Sequence, residues 1–183
     1  MPGAYIHDDR LIVGPGAVIE SGAMIKGPTV IGAKTEVRQG AYIRGDVLVG
    51  DECVVGHTTE AKNTIMMNGA KAGHFAYLGD SILGRDVNLG AGTKLANLKM
   101  VEGTVALPLP DGERLDTGRR KLGAILGDGT ETGCNSVTSP GTLLGKRARV
   151  YPCVSVPAGY YSTRTIIPST DKAMSLRVHP KAG

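Results

Sequence analysis

The stretch Lys71-Ala-Gly-His74-Phe-Ala-Tyr77-Leu-Gly-Asp80, followed by Asn88-Leu-Gly-Ala91-Gly-Thr93, concentrates side chains suited to acid–base and polar work. Imidazole titrates near neutral pH, so a positioned histidine can take a proton from an attacking group. Basic residues stand upstream at Arg44, 30 positions before His74, and at Lys62, 12 positions before it. Guanidinium and ammonium groups suit phosphate by charge and donor geometry. Taken singly, each of these charged residues fits a solvated face equally well, and His74 fits a structural position. Only their joint spacing points to a site.

Other chemistries find less support. The three cysteines, Cys53, Cys134 and Cys153, form no Cys-x-x-Cys pair and read as small packed residues. No metal is expected. The net charge of +4 is mild, with bases gathered at Arg119-Arg120-Lys121 and at Lys146, Arg147 and Arg149. With one Phe and no Trp, the chain lacks the stacking partners that accompany a nucleic-acid surface, so no nucleic-acid partner is expected. A phosphate-bearing small molecule accounts for a few clustered bases. No run approaches the roughly 20 apolar residues that span a bilayer, and Met1 to Arg10 has no apolar signal core. The expectation is a cytoplasmic protein without membrane contact.

The elements that must hold these residues follow from a period of six. Val13, Ile19, Ile25, Ile31, Val37, Ile43, Val49 and Val55 recur without a break. Four positions after each comes a smaller side chain: Ala17, Ala23, Thr29, Thr35, Ala41, Val47, Cys53 and Thr59. A second run appears at Leu126, Thr132, Thr138, Leu144, Val150 and Val156. This period fits neither an amphipathic helix nor sustained strand alternation. It fits a triangular coil in which each hexad gives one short strand and one turn of roughly 120°. The Val or Ile points inward, and the small residue packs near a corner. Three hexads make a coil of 18, the spacing of Gly14, Gly32 and Gly50. The expected fold is therefore all-β, a single-stranded parallel β-helix of hexapeptide repeats.

The period breaks in two places. Leu78 to Leu83 is a step of five, after which Leu89 and Leu95 resume the six. Residues 98–120 then leave the repeat. There Pro110-Asp111-Gly112 lies between Val101–Leu109 and Glu113–Thr117, predicting a loop or hairpin that protrudes from one corner. The expected organisation is a lead-in over 1–12, a β-helix over 13–160 and a tail over 161–183.

Lys71-Ala-Gly-His74 with Tyr77, together with Ile43-Arg44-Gly45, Glu60-Ala61-Lys62 and Asn88 to Thr93, resembles a known family. It is the C-terminal acetyltransferase domain of the bifunctional glucosamine-1-phosphate acetyltransferase/N-acetylglucosamine-1-phosphate uridyltransferases. The related sugar-1-phosphate nucleotidyltransferases with an acetylating β-helix are more similar still. The likeness covers roughly residues 35–155 and implies that the helix is left-handed. It implies that His74 is the general base of N-acetyl transfer from acetyl-coenzyme A, with a backbone N–H near Ala91 facing the oxyanion. Arg44, Lys62, Tyr77, Asn88 and Lys121 match acceptor-binding residues, and Ala91, Asn97, Leu98 and Cys134 match donor-binding ones. Glu60 is placed to orient His74, and Lys146, Arg147 and Arg149 to meet the coenzyme's phosphates. The resemblance further implies a homotrimer with sites between subunits. The implied acceptor is an amino-sugar phosphate or a nucleotide-linked amino sugar.

The sequence also departs from that pattern. Cys134 stands where the family more often has Ser, and Pro152 at another donor position has no N–H to offer. The nucleotidyltransferase half is missing, so the expectation is an acetyltransferase that stands alone or partners a separate nucleotidyltransferase. Two alternatives remain open. One is a non-catalytic β-helix serving oligomerisation or ligand binding beside a sugar nucleotidyltransferase. The other is a hydratase of the γ-carbonic anhydrase type, which shares the hexapeptide trimer and an Arg-Gly-Asp segment like Arg44-Gly45-Asp46. Zinc there needs three imidazoles, while the repeat supplies His57 and His74, 17 apart, with His7 and His179 at the ends.

Overall fold

The computed structural model describes residues 1–7 and 9–169, and every regular element among them is a β-strand. The strands stack into three parallel sheets of eight strands each, and the chain visits the sheets in strict rotation. Face 1 includes Tyr42–Ile43, Glu60–Lys62, Tyr77–Gly79 and Lys94–Leu95. Face 2 includes Thr64–Met66, Ile82–Leu83 and Ile125–Leu126. Face 3 includes Val54–His57, Lys71–His74 and Asn88–Leu89. This is a left-handed parallel β-helix of triangular section.

The six-residue period is the geometry of its interior. Down face 1 the inward positions stack as Ile25, Ile43, Ala61, Leu78 and Leu95, each in register with the next. Down face 3 the stack is Val37, Val55, Ala72 and Leu89. All of these are buried. At the corners, buried threonines donate to main-chain carbonyls of the adjoining coil. Thr35 Oγ1 donates to Gly50 O at 2.7 Å, Thr59 Oγ1 to Ala72 O at 3.0 Å and Thr130 Oγ1 to Gly145 O at 3.1 Å. A buried carbonyl left without a donor costs about 1–3 kcal/mol, which is why these small corner residues are so often hydroxylated.

Two findings refine the reading of the period. A second step of five separates the buried Ala61 and Met66. It lies at the face 1–face 2 corner, as does the step from Leu78 to Leu83. Strands also pair from Tyr5–Ile6 through to Ile166–Ile167, so the coils run past the 13–160 span at both ends. Residues 170–183 of the expected tail, His179 among them, lie outside the described residues.

The long insertion leaves from that same face 1–face 2 corner. Its root is an antiparallel bridge between Leu98 and Lys121. Its tip is an antiparallel hairpin of Ala106–Pro108 with Arg114–Asp116, turning through Gly112 at φ +88°. The hairpin expected around Pro110-Asp111-Gly112 is present. Val105 is buried against the coil, its Cγ1 close enough to Gly141 that a Cβ there would stand only 3.0 Å away.

Candidate functional site

The candidate residues gather at the two long edges of face 1. At the face 3–face 1 corner, His74 closes the strand Lys71–His74 in register with His57 one coil below. Both strands run two residues further than their neighbours, through Gly56 and Gly73. A Cβ on Gly56 would lie 1.8 Å from the Gly73 carbonyl oxygen, so this approach of two backbones requires glycine. His74 is exposed and lines a groove with Arg38, Lys71, Asn88, Ala91 and Cys134. Asn88 and Ala91 belong to the coil above His74, and Cys134 to the coil above that. Four residues matched to different roles therefore converge across three successive coils.

Within that groove the main chain of Gly90 and Gly92 is spent on Thr132 O at 2.9 Å and His74 O at 3.0 Å. None of the hydrogen bonds among the described residues uses the Ala91 N–H, which leaves it available to an oxyanion. The His74 ring stands beside that of Phe75, at a centroid distance of 6.1 Å. Glu60 does not orient His74. Its carboxylate accepts from Arg44 Nη1 at 2.7 Å, because Arg44 and Glu60 stand on neighbouring coils of face 1. That pairing also holds the Arg44 guanidinium above its ordinary pKa. His57 Nδ1 lies 2.9 Å from the Gln39 carbonyl, which selects the tautomer protonated at Nδ1. Among the described residues no group of three or more His, Cys, Asp or Glu side chains stands close enough to hold a metal ion.

The other edge, the face 1–face 2 corner, is densely bonded. The Asp80 side chain is 7 % exposed and meets three donors. Lys62 Nζ reaches Oδ2 at 3.1 Å, Asn63 Nδ2 reaches Oδ1 at 2.7 Å, and Asn97 Nδ2 donates to Oδ2. Tyr77 Oη donates to Asn97 Oδ1 at 3.4 Å. Burial pushes the Asp80 carboxyl upward, but hydrogen bonds from Asn63, Asn97 and Lys62 outweigh it and hold the group below the ordinary carboxylate range. Gly79 makes the arrangement possible, since a Cβ there would stand 2.6 Å from Asn97 Nδ2 and 2.7 Å from Tyr77 Oη. Lys121 and Arg119, from the foot of the insertion, line the same cleft with Asp46, Asn63 and Asp80.

The acceptor set thus divides. Arg44, Lys62, Tyr77 and Lys121 lie along face 1 and its edge with face 2, while Asn88 lies beside His74. The donor set divides as well. Ala91 and Cys134 share the His74 groove, but Asn97 is buried with its amide committed to Asp80, and Leu98 stands at the root of the insertion. Of the three bases matched to coenzyme phosphates, two pair with carboxylates, Lys146 with Asp128 at 3.1 Å and Arg149 with Glu131. Asp80 and Asn63 were not singled out from the sequence. The signal that finds them is the pair of five-residue steps, each marking a tightened corner with a residue at positive φ, Asn63 at +46° and Asp80 at +49°.

Fold and site together define a hexapeptide-repeat β-helix domain of the acyltransferase-like class. Within that class the chain belongs to the family described as the GMPPB C-terminal domain, whose model matches residues 25–169. The resemblance read from Lys71 to Asp80 is borne out by the relatives. The chain is 44 % identical over 98 residues to a bifunctional sugar-1-phosphate nucleotidylyltransferase/acetyltransferase of Sulfurisphaera tokodaii, covering 54 % of this chain and 24 % of that protein. It is 35 % identical over 147 residues to the bifunctional protein GlmU of Cyanothece, covering 75 % of this chain and 28 % of that protein. The chain therefore spans a quarter to a third of the curated relatives it matches. Among solved structures, the UDP-N-acetylglucosamine acyltransferase of Francisella novicida shares the fold with a TM-score of 0.57 at 19 % identity. That likeness covers 85 % of this chain and 59 % of the other.

Proposed function

We propose that the protein is an acetyl-coenzyme A-dependent N-acetyltransferase acting on an amino-sugar phosphate or a nucleotide-linked amino sugar. The observation that carries this reading is the convergence of His74, Asn88, Ala91 and Cys134 on one groove from three successive coils. In the reaction the acceptor amine attacks the thioester carbonyl carbon and forms the new N–C bond. His74 takes the amine proton, and the Ala91 N–H meets the oxyanion. The C–S bond then breaks and the thiolate leaves as coenzyme A. No covalent enzyme intermediate is needed, because a thioester is already an activated acyl donor.

Arg44, Lys62 and Lys121 supply positive charge for the acceptor's phosphate, with Tyr77 and Asn88 against the sugar. A homotrimer belongs to this reading: a second copy facing the groove would supply the hydrogen-bond partner that the His74 ring lacks among the described residues. The same lack of an orienting hydrogen bond on His74 favours a second reading, a non-catalytic domain that binds sugar nucleotides beside a separate nucleotidyltransferase.

The test is thiol release from acetyl-coenzyme A with glucosamine-1-phosphate, galactosamine-1-phosphate and UDP-linked amino sugars, comparing wild type with His74→Ala. Loss of a general base typically costs about 10²- to 10⁴-fold in rate. Release that falls by that factor, with an unchanged melting temperature, supports the transferase and identifies its acceptor. No release with any acceptor, and no coenzyme A binding, hands the case to the non-catalytic reading.

A further inference from the structure

The insertion and the acceptor edge are joined at one residue. Asp80 binds Lys62 through its carboxylate, and it also holds both feet of the insertion. At the outgoing foot its carboxylate accepts from the amide of Asn97, the residue before Leu98. At the returning foot its carbonyl accepts from Gly123 N at 2.8 Å, while Asn97 O accepts from Leu122 N at 2.9 Å. The fit is close: a Cβ on Gly123 would stand 2.2 Å from the Gly79 carbonyl oxygen. Between these two feet stand Arg119 and Lys121, which line the cleft with Asp80 and which have no carboxylate partner within ion-pair distance among the described residues. Lys62, by contrast, is already pinned.

We propose that Asp80 is a positioning residue: it clasps the base of the insertion against face 1 so that Lys62, Arg119 and Lys121 present their charges to one anionic group of the acceptor. The identity of that group as a sugar-linked phosphate rests on the function proposed above. The clasp itself does not. Asp80 touches no reacting atom and acts only through Lys62 and the insertion. An isosteric Asp80→Asn change removes the charge that fixes Lys62 and replaces an acceptor facing Asn97 with an amide that meets only half its partners.

The experiment has two arms on the full chain. In the first, limited trypsin digestion compares wild type with Asp80→Asn, each at the same interval below its own melting temperature. The insertion carries tryptic sites at Lys99, Arg114, Arg119, Arg120 and Lys121. Cleavage there is expected to accelerate by about tenfold while cleavage elsewhere keeps its rate, the factor set by loss of hydrogen bonds to a charged group. In the second arm, the KM for the acceptor is expected to rise by about tenfold in Asp80→Asn, with the KM for acetyl-coenzyme A within about twofold of wild type. Lys62→Met combined with Asp80→Asn is expected to raise the acceptor KM less than the two single changes multiplied together, the sign of residues acting as a unit. Equal digestion of the insertion in both proteins overturns the clasp. A parallel rise in both KM values overturns the positioning role. If wild type turns over no acceptor, the function proposed above fails, and the digestion arm alone decides on Asp80.

Discussion

The two edges of face 1 are built on opposite principles. At the face 1–face 2 corner, a buried carboxylate is satisfied by Lys62, Asn63 and Asn97, and the main chain of the insertion is bonded onto it. At the face 3–face 1 corner, His74 projects into an open groove, and no hydrogen bond among the described residues fixes its ring. One edge is complete in a single chain, while the other presents chemistry without the groups that would hold it. The contrast teaches where preorganisation is stored. The charge of Lys62 is locked by its own chain. Under the function proposed above, the group that exchanges a proton is the one left for the bound substrate, or a neighbouring copy, to finish.

The comparison can be broken most severely from the His74 side by Gly56→Ala. The added Cβ would collide with the Gly73 carbonyl at 1.8 Å, and both partners are backbone, so the strand carrying His74 must move. Destabilisation of about 4 kcal/mol or more is expected, in the range reserved for such clashes. A thermal melt within a few degrees of wild type would show that the two strands separate more readily than their geometry implies.

Acid sharpens the other edge. The folded-state pKa of Asp80 lies below its unfolded value, near 3.9 for a free carboxylate. The stabilisation it contributes is therefore fully present above that pH and is lost as pH falls through the depressed folded value. Wild type should melt higher than Asp80→Asn at neutral pH, and the gap should close below about pH 4. A gap that persists unchanged into strong acid would mean that shape, not charge, makes Asp80 useful.

The smallest effect probes accessibility. Cys134 in the groove and Cys153 one coil on are exposed, whereas Cys53 is buried among the core stacks and burial raises its thiol pKa. A thiol reagent should label two of the three cysteines in the native protein and the third only on unfolding. Protection of Cys134 by coenzyme A would tie the groove to the donor, and labelling of all three under native conditions would contradict the packing.

Much of this was legible beforehand, and unevenly so. The six-residue period from Val13 to Val55 dictates the three faces because each inward side chain stacks on its counterpart one coil away. His74, Asn88, Ala91 and Cys134 were named by the resemblance, in separate roles, and they line one groove because all four sit at or beside one corner of a regular lattice. Asn97 and Glu60 do not. Their partners, Asp80 and Arg44, are chosen by a corner shortened by one residue and by outward contacts between coils, and a linear period records neither. The second shortened corner, between Ala61 and Met66, was hidden because Met66 completes the inward stack as well as a Val or Ile would.

Those shortened corners and the insertion share one further property. The corner between Ala61 and Met66 loses a residue, as does the next one up, and the corner above that gains a whole hairpin. Yet Leu83, Leu126 and Leu144 remain in register down face 2. Each layer closes on itself, so a change of length is absorbed where it occurs and is not passed to the layers above or below. The architecture is tolerant of insertion and deletion in a way that a hairpin-connected sheet, whose pairing shifts with every added residue, is not. New parts can be grafted onto such a stack one storey at a time.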